Sequence, residues 1–218
     1  MFIGHQAVAF ALKKVSPERS LGTLMAAAMF LDLLWPVFLG LGWERVRIEA
    51  GNTAVTPLAF EWYPYSHSLV AAIGWSLLFG ICFWKGSRKQ LVVLAAAVFS
   101  HWVLDAISHK PDLPIIPGSS QKVGLGLWNS VPATMIVELG LFGIGLWIYH
   151  TISLPKDATG RWAYAAFVIF LLVLYVANIF GPPPPNVAVL RWVGLTGWLL
   201  PLWAGWFDGH RSVVSGRI

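Results

Sequence analysis

The sequence predicts an all-α fold: a polytopic transmembrane helical bundle forming one integral membrane domain over residues 1–218. Three observations predict it. The chain is 57% hydrophobic and only 11% charged, where soluble domains carry roughly 25% charged residues. Several apolar runs reach the roughly 20 residues that cross a bilayer. The 13 tryptophans suit an aromatic belt at the membrane interfaces and call for no cofactor.

Six full spans follow, over about residues 20–42, 64–84, 90–109, 131–150, 162–180 and 190–207, each bounded by charge, Pro or Gly. The apolar stretch at about 2–12 is too short to cross and reads as a half-span or an interfacial helix. In "MFIGHQAVAFALKK" the charges follow the apolar stretch, the reverse of a signal peptide. Residues 43–63 and 110–130 read as structured caps, rich in Gly, Pro and Trp. "GPPPPN" (181–186) reads as a stiff turn. Cys82 is the single cysteine, so no intramolecular disulfide forms.

Charge sets the expected orientation. Lys13, Lys14, Arg19, Lys85, Arg88, Lys89, Lys156, Arg161, Arg211 and Arg217 fall in one set of loops. Arg45, Arg47, Lys110, Lys122 and Arg191 fall in the other. Basic residues concentrate on the cytoplasmic side, which places the first set and the C-terminus there. The net charge of +5 is explained by these loops, with the lipid bilayer as partner and no nucleic acid. The oligomeric state is not legible.

Ionisable side chains within a span cost about 2.5–3.5 kcal/mol on insertion scales and mark function by default. The candidates are His5, Asp32, His67, His101, Asp105, His109 and Glu138. In "SHWVLDAISHKPD" (100–112), His101, Asp105 and His109 recur every four residues, so they share one helix face. At 1.5 Å per residue, Asp32, His101 and Glu138 lie roughly 17–20 Å from the cytoplasmic edge, with Asp105 one turn higher. His67 enters near the outer edge of its own span. Five segments thus place polar groups in or near one layer. Imidazole with carboxylate favours zinc, or another transition metal such as Mn or Fe, over Ca or Mg. The predicted metal ligands are Asp32, His67, His101 and Asp105, with His5 as a fifth. Glu138 is the candidate catalytic base, or a further ligand. Each has a blander reading. His101 and Asp105 can simply hydrogen-bond, Asp32 can serve backbone groups freed by Pro36, Glu138 can pair with Asn178 or His5, and His109 can be solvated at the interface.

"GHQAVAFAL", "MFLDLLWP", "YSHSL", "SHWVLDAISHKPDLP" and "GLGLWNS" together resemble the membrane-bound metal-dependent hydrolase family of small polytopic bacterial inner-membrane proteins. The resemblance covers about residues 1–150, leaving an additional two-span C-terminal region at about 160–210. It implies a site at His5, Asp32, His67, His101 and Asp105. Two features differ. The Pro-Asp-x-Asp pair frequent in that family is the single Asp32 here, and the basic residue often preceding its "THS" stretch has no counterpart in "WYPYSHS". The expected function is a zinc-dependent hydrolase in the bacterial cytoplasmic membrane, acting on an ester or phosphoester of a lipid-like substrate. The alternatives are a transporter or permease for a metal ion or proton-coupled solute, and a non-catalytic membrane subunit.

Overall fold

A computed structural model describes residues 1–214; Arg217, counted above among the cytoplasmic basic residues, lies outside them. The described chain is mostly helical. α1 (Ile3–Val15) leads into α2 (Leu21–Ala28) and α3 (Phe30–Gly40). The hairpin β1 (Arg45–Ile48) and β2 (Leu58–Trp62) follows, then α4 (Pro64–His67), α5 (Leu69–Cys82) and α6 (Arg88–Ser108). β3 (Leu113–Pro114), β4 (Lys122–Val123) and a 3-10 turn at Leu127–Asn129 precede α7 (Val131–Ile152), β5 (Ser153–Pro155) and α8 (Ala158–Phe180). α9 (Val187–Thr196), α10 (Leu199–Gly209) and β6 (Arg211–Val213) close it. The antiparallel pairs β1–β2, β3–β4 and β5–β6 are short, and each joins segments between or after helices.

Four helical segments are long and apolar enough to cross a membrane: α6, α7, α8 and the Val187–Gly209 pair. A fifth is the α2–α3 pair, bent by 58°. The expected span at 64–84 differs. Its chain is interrupted at Ser68, whose ψ of 152° is extended, and the helix beyond it has 14 residues. At 1.5 Å per residue that is about 21 Å, short of the roughly 30 Å hydrocarbon core. Starts are set by side-chain caps. Ser130 accepts from Ala133 N, Asp157 from Gly160 N and Asn186 from Val189 N. Large apolar side chains along the outer faces are exposed, Ile136, Trp147, Ile169 and Leu202 among them, as in a bundle whose outer solvent is lipid.

α1 is the central strut. It packs on α7, α2 and α6. A Cβ on Gly145 of α7 would collide with the Ala7 backbone, so the absent side chain sets how closely these helices approach. Phe10 sits mid-strut among Phe142, Tyr149, Tyr164 and Phe167, with ring centroids 5.3–6.4 Å away. At the far end, the buried Asp208 carboxylate accepts from Lys13 Nζ (2.7 Å), Leu21 N (2.9 Å) and Tyr149 OH (2.8 Å). Arg211 lies over Tyr164 and donates to Ser153 O and Gly160 O, both at 2.8 Å. Four segments meet at Asp208, so this clasp fixes the lower end of α1.

Removing one partner of a buried ion pair leaves the other uncompensated. Asp208→Ala is expected to destabilise the protein by about 3–5 kcal/mol, read as a drop in melting temperature in detergent. Combining it with Lys13→Met is expected to recover part of that loss, because Leu21 N and Tyr149 OH still lack their acceptor.

Candidate metal centre

At the other end of α1, five side chains from four segments converge. His5 comes from the first turn of α1, Asp32 from α3, His67 from α4, and His101 with Asp105 from adjacent turns of α6. His5, His67, His101 and Asp105 are buried, while the Asp32 side chain is 41% exposed and opens onto a cavity. Asp32 Oδ1 lies 3.5 Å from His67 Nε2 and 3.6 Å from His101 Nε2. Asp105 Oδ2 lies 3.6 Å from His67 Nε2 and 3.2 Å from His101 Nε2. The four atoms form a closed ring. His5 stands on the other carboxylate oxygen, with Nε2 3.2 Å from Asp105 Oδ1, and its ring stacks on that of His101 at 3.6 Å between centroids. The Met1 ammonium also reaches Asp105 Oδ1, at 2.5 Å. Two overlapping sets, His5/His101/Asp105 and Asp32/His67/His101, each bring ligand-type atoms within 4.8 Å of one another.

The outer partners fix which nitrogen carries the proton. A carbonyl only accepts, so His101 donates its Nδ1–H to Ala28 O at 2.9 Å. Ala28 sits beside the α2–α3 break, where a helix carbonyl is open to an outside donor. Ser66 Oγ donates to Glu44 Oε2 at 2.7 Å and therefore accepts from His67 Nδ1–H, also at 2.7 Å. In their neutral form both imidazoles then turn an unprotonated Nε2 toward the carboxylates. With neutral imidazoles the ring consists of four acceptors, and His101 Nε2 has no hydrogen-bond partner. Glu44 is held in turn by Tyr65 N (2.9 Å) and Ser66 N (2.7 Å). Burial pushes its carboxyl above the ordinary range, and nearby His67 and these donors oppose the rise.

The remaining candidates fall in different places. Asp32 faces the two imidazoles and not backbone groups near Pro36. Glu138, the candidate base, lies outside the ring. Its Oε2 accepts from Phe2 N (2.9 Å) and Gly4 N (3.4 Å), so it satisfies the open amides at the start of α1. His109 is buried beside the ring rather than solvated. Its Nδ1 donates to Asp112 Oδ1 at 2.9 Å, and Tyr63 OH donates to the same oxygen at 3.1 Å. Burial, with the Asp112 and Asp105 carboxylates near, pushes the Tyr63 phenol well above 10, so it stays a donor. His109 Nε2 has no protein partner among the described residues, and the ring forms part of the cavity wall with Asp32, His67 and Asp105. Glu44, Ser66, Tyr63 and Asp112 went unread in the sequence. The signals available were "YSH", which puts a hydroxyl next to the histidine, and "HKPD", which puts a carboxylate three residues after His109.

Compared with known proteins, the chain matches no protein-family model, no curated protein and no solved structure.

If Glu138 anchors α1, its acceptor oxygen matters more than its acidity. Glu138→Ala is expected to cost about 1–3 kcal/mol, the range for stranding buried donors. Glu138→Gln, which keeps an oxygen, is expected to cost less than half of that in the same melting measurement.

Proposed function

We propose that the chain is a membrane-embedded, metal-dependent hydrolase holding a divalent transition metal, zinc first, between Asp32, His67, His101 and Asp105. The ring of four acceptors carries this reading. Zinc bonds N and O ligands at about 2.0–2.2 Å, so ligand atoms around a tetrahedral ion lie about 3.3–3.6 Å apart. The four ring edges measure 3.2–3.6 Å, four of the six separations such an ion requires, and Asp32 and Asp105 fall in two separate sets that share His101. A dication also neutralises Asp32 and Asp105, and the Ser66 and Ala28 hydrogen bonds are the outer support that metal-binding imidazoles require. His5 orients the second oxygen of Asp105 and braces the His101 ring, and is retained as a further ligand.

A metal of this kind supplies Lewis acidity and a water nucleophile at neutral pH. The protein's own groups supply the rest. His109, with Nδ1 held by Asp112, offers Nε2 to take a proton in the cavity and return it. Glu138 fixes the start of α1 and with it His5. The buried aromatic group around Phe10 supports the enzyme over a transporter, because a carrier needs polar groups along its whole path.

The proposed setting is the bacterial cytoplasmic membrane. α4 and α5 complete a sixth, shortened crossing, and the 85–89 loop and the C-terminus face the cytoplasm. A lipid-like ester then reaches the site from the opposite face. In a Cys82→Ser background, Ser119→Cys is expected to react with impermeant maleimide added outside cells, and Lys85→Cys only after permeabilisation. The reverse pattern inverts the orientation.

Metal removal tests the function directly. A ligand at 100 times its dissociation constant stabilises the folded state by about 2.7 kcal/mol. A chelator is therefore expected to lower the melting temperature of the wild type, while His101→Ala starts low and responds little. An unchanged wild-type melt overturns the metal reading. Ser66→Ala, which removes the hydroxyl that orients His67, is expected to weaken metal affinity about 10–100-fold.

A further inference from the structure

The cavity beside the ring holds about 130 Å³, and its wall contains no lysine or arginine. Its carboxylate and imidazole side chains are Asp32, His67, Asp105, His109 and Glu138. The one cation lining it is the Met1 ammonium, already paired with Asp105. A second cavity of about 260 Å³ adjoins it, between the tip of the β1–β2 hairpin and the Pro182–Pro184 turn. Its lining carries no charged side chain at all. The two share Val55, Thr56, Leu58 and Asn178 as common wall.

Anion sites are built from Arg or Lys, or from the free amides of a helix N-terminus. Neither is available here. The α1 amides at Phe2 and Gly4 already serve the protein's own Glu138. The basic side chains of neighbouring elements line neither cavity. Arg47 pairs with Glu49, Arg191 lies over Trp192, and Lys110 donates to Asn52. Three carboxylates, one ammonium and one dication sum to zero, so a phosphate group entering the cavity finds no surplus positive charge. A neutral carbonyl meets no such penalty. Trp35, Phe60, Trp128 and Tyr175 supply apolar wall around it.

We infer that the substrate is an uncharged carboxylic ester with an extended apolar chain, its acyl carbon in the inner cavity at the ring and its chain in the outer cavity past Thr56 and Asn178. The inference rests on the hydrolase reading and chooses between the ester and phosphoester that the sequence left open. In the reaction, water oxygen bonds to the acyl carbon and the bond from that carbon to the alcohol oxygen breaks. His109 Nε2 takes one water proton and passes it to the leaving alkoxide, giving a carboxylic acid and an alcohol.

The test uses full-length, metal-loaded protein with Cys82→Ser and either Thr56→Cys or Asn178→Cys. The readout is the maleimide labelling rate, which needs no turnover. The probes are octanohydroxamate (a metal-seeking head, uncharged at neutral pH, on a long chain), acetohydroxamate and octylphosphonate. At ten times its dissociation constant, octanohydroxamate is expected to slow labelling about tenfold, in proportion to occupancy. Acetohydroxamate is expected to raise the melting temperature without slowing labelling, and octylphosphonate to do neither. Protection by octylphosphonate equal to that by octanohydroxamate overturns the neutral-substrate inference and leaves the hydrolase reading standing. So does octanohydroxamate binding that leaves both cysteines unprotected, or a failure of both hydroxamates to bind protein shown to contain metal. Protein that takes up no metal overturns the hydrolase reading itself.

Discussion

Four acceptor atoms facing one another in one ring, three from buried residues and the fourth, on Asp32, at a cavity wall, are the constraint on which the rest of the structure turns. Two carboxylate oxygens and two imidazole nitrogens lie 3.2–3.6 Å apart along the ring. Bringing two carboxylates into one site carries a desolvation cost that packing alone does not offset. The fold instead holds each ring from behind, His101 through Ala28 O and His67 through Ser66 and Glu44. These supports exist because the helices are interrupted where they are. The bend at Met29 presents Ala28 O to α6, and the extended Ser68 ends α4 just after His67. A cation between the acceptors is the economical resolution, and the proposed metal supplies it.

α1 links this centre to the opposite end of the molecule. It begins at the ring with His5, anchored by Glu138, and ends at Lys13 in the Asp208 clasp. Eight residues separate the two, about 12 Å of helix, and the aromatic packing at Phe10 fills the interval. A strut fixed at both ends gives His5 a defined height against Asp105. The same polar economy extends to the cavity wall, where the helix amides that would attract an anion are already used.

Much of the site was legible because helical spacing is a local property. His101 and Asp105 share a face of α6 by their i,i+4 separation alone, and depth counting put Asp32 and His67 in the same layer. What the sequence hid depends on tertiary contacts. The 58° bend falls at Met29, with no Pro or Gly at that residue, whereas the conspicuous Pro36 lies within α3. "YSHSL" looked like the start of a full span, but Ser68 caps α5 through Ala71 N and the helix stops after 14 residues. Glu138, read as a base because it is a lone carboxylate in an apolar helix, lines the cavity with Asp32, His67 and Asp105. Its partners are backbone amides 134 and 136 residues away, and no local pattern announces them. His109 looked interfacial beside Lys110. The loops over residues 110–130 bury it, with Leu125 N donating to Ala106 O and Gly126 N to His109 O.

The most direct test of the central claim is X-ray absorption at the zinc edge on the purified, zinc-loaded protein, wild type against His101→Ala. The ring predicts one zinc with four or five N/O neighbours at about 2.0–2.2 Å, outer-shell scattering from at least two imidazoles, and loss of one imidazole in the variant. A zinc surrounded by water oxygens alone, or a spectrum that His101→Ala leaves unchanged, would contradict the account.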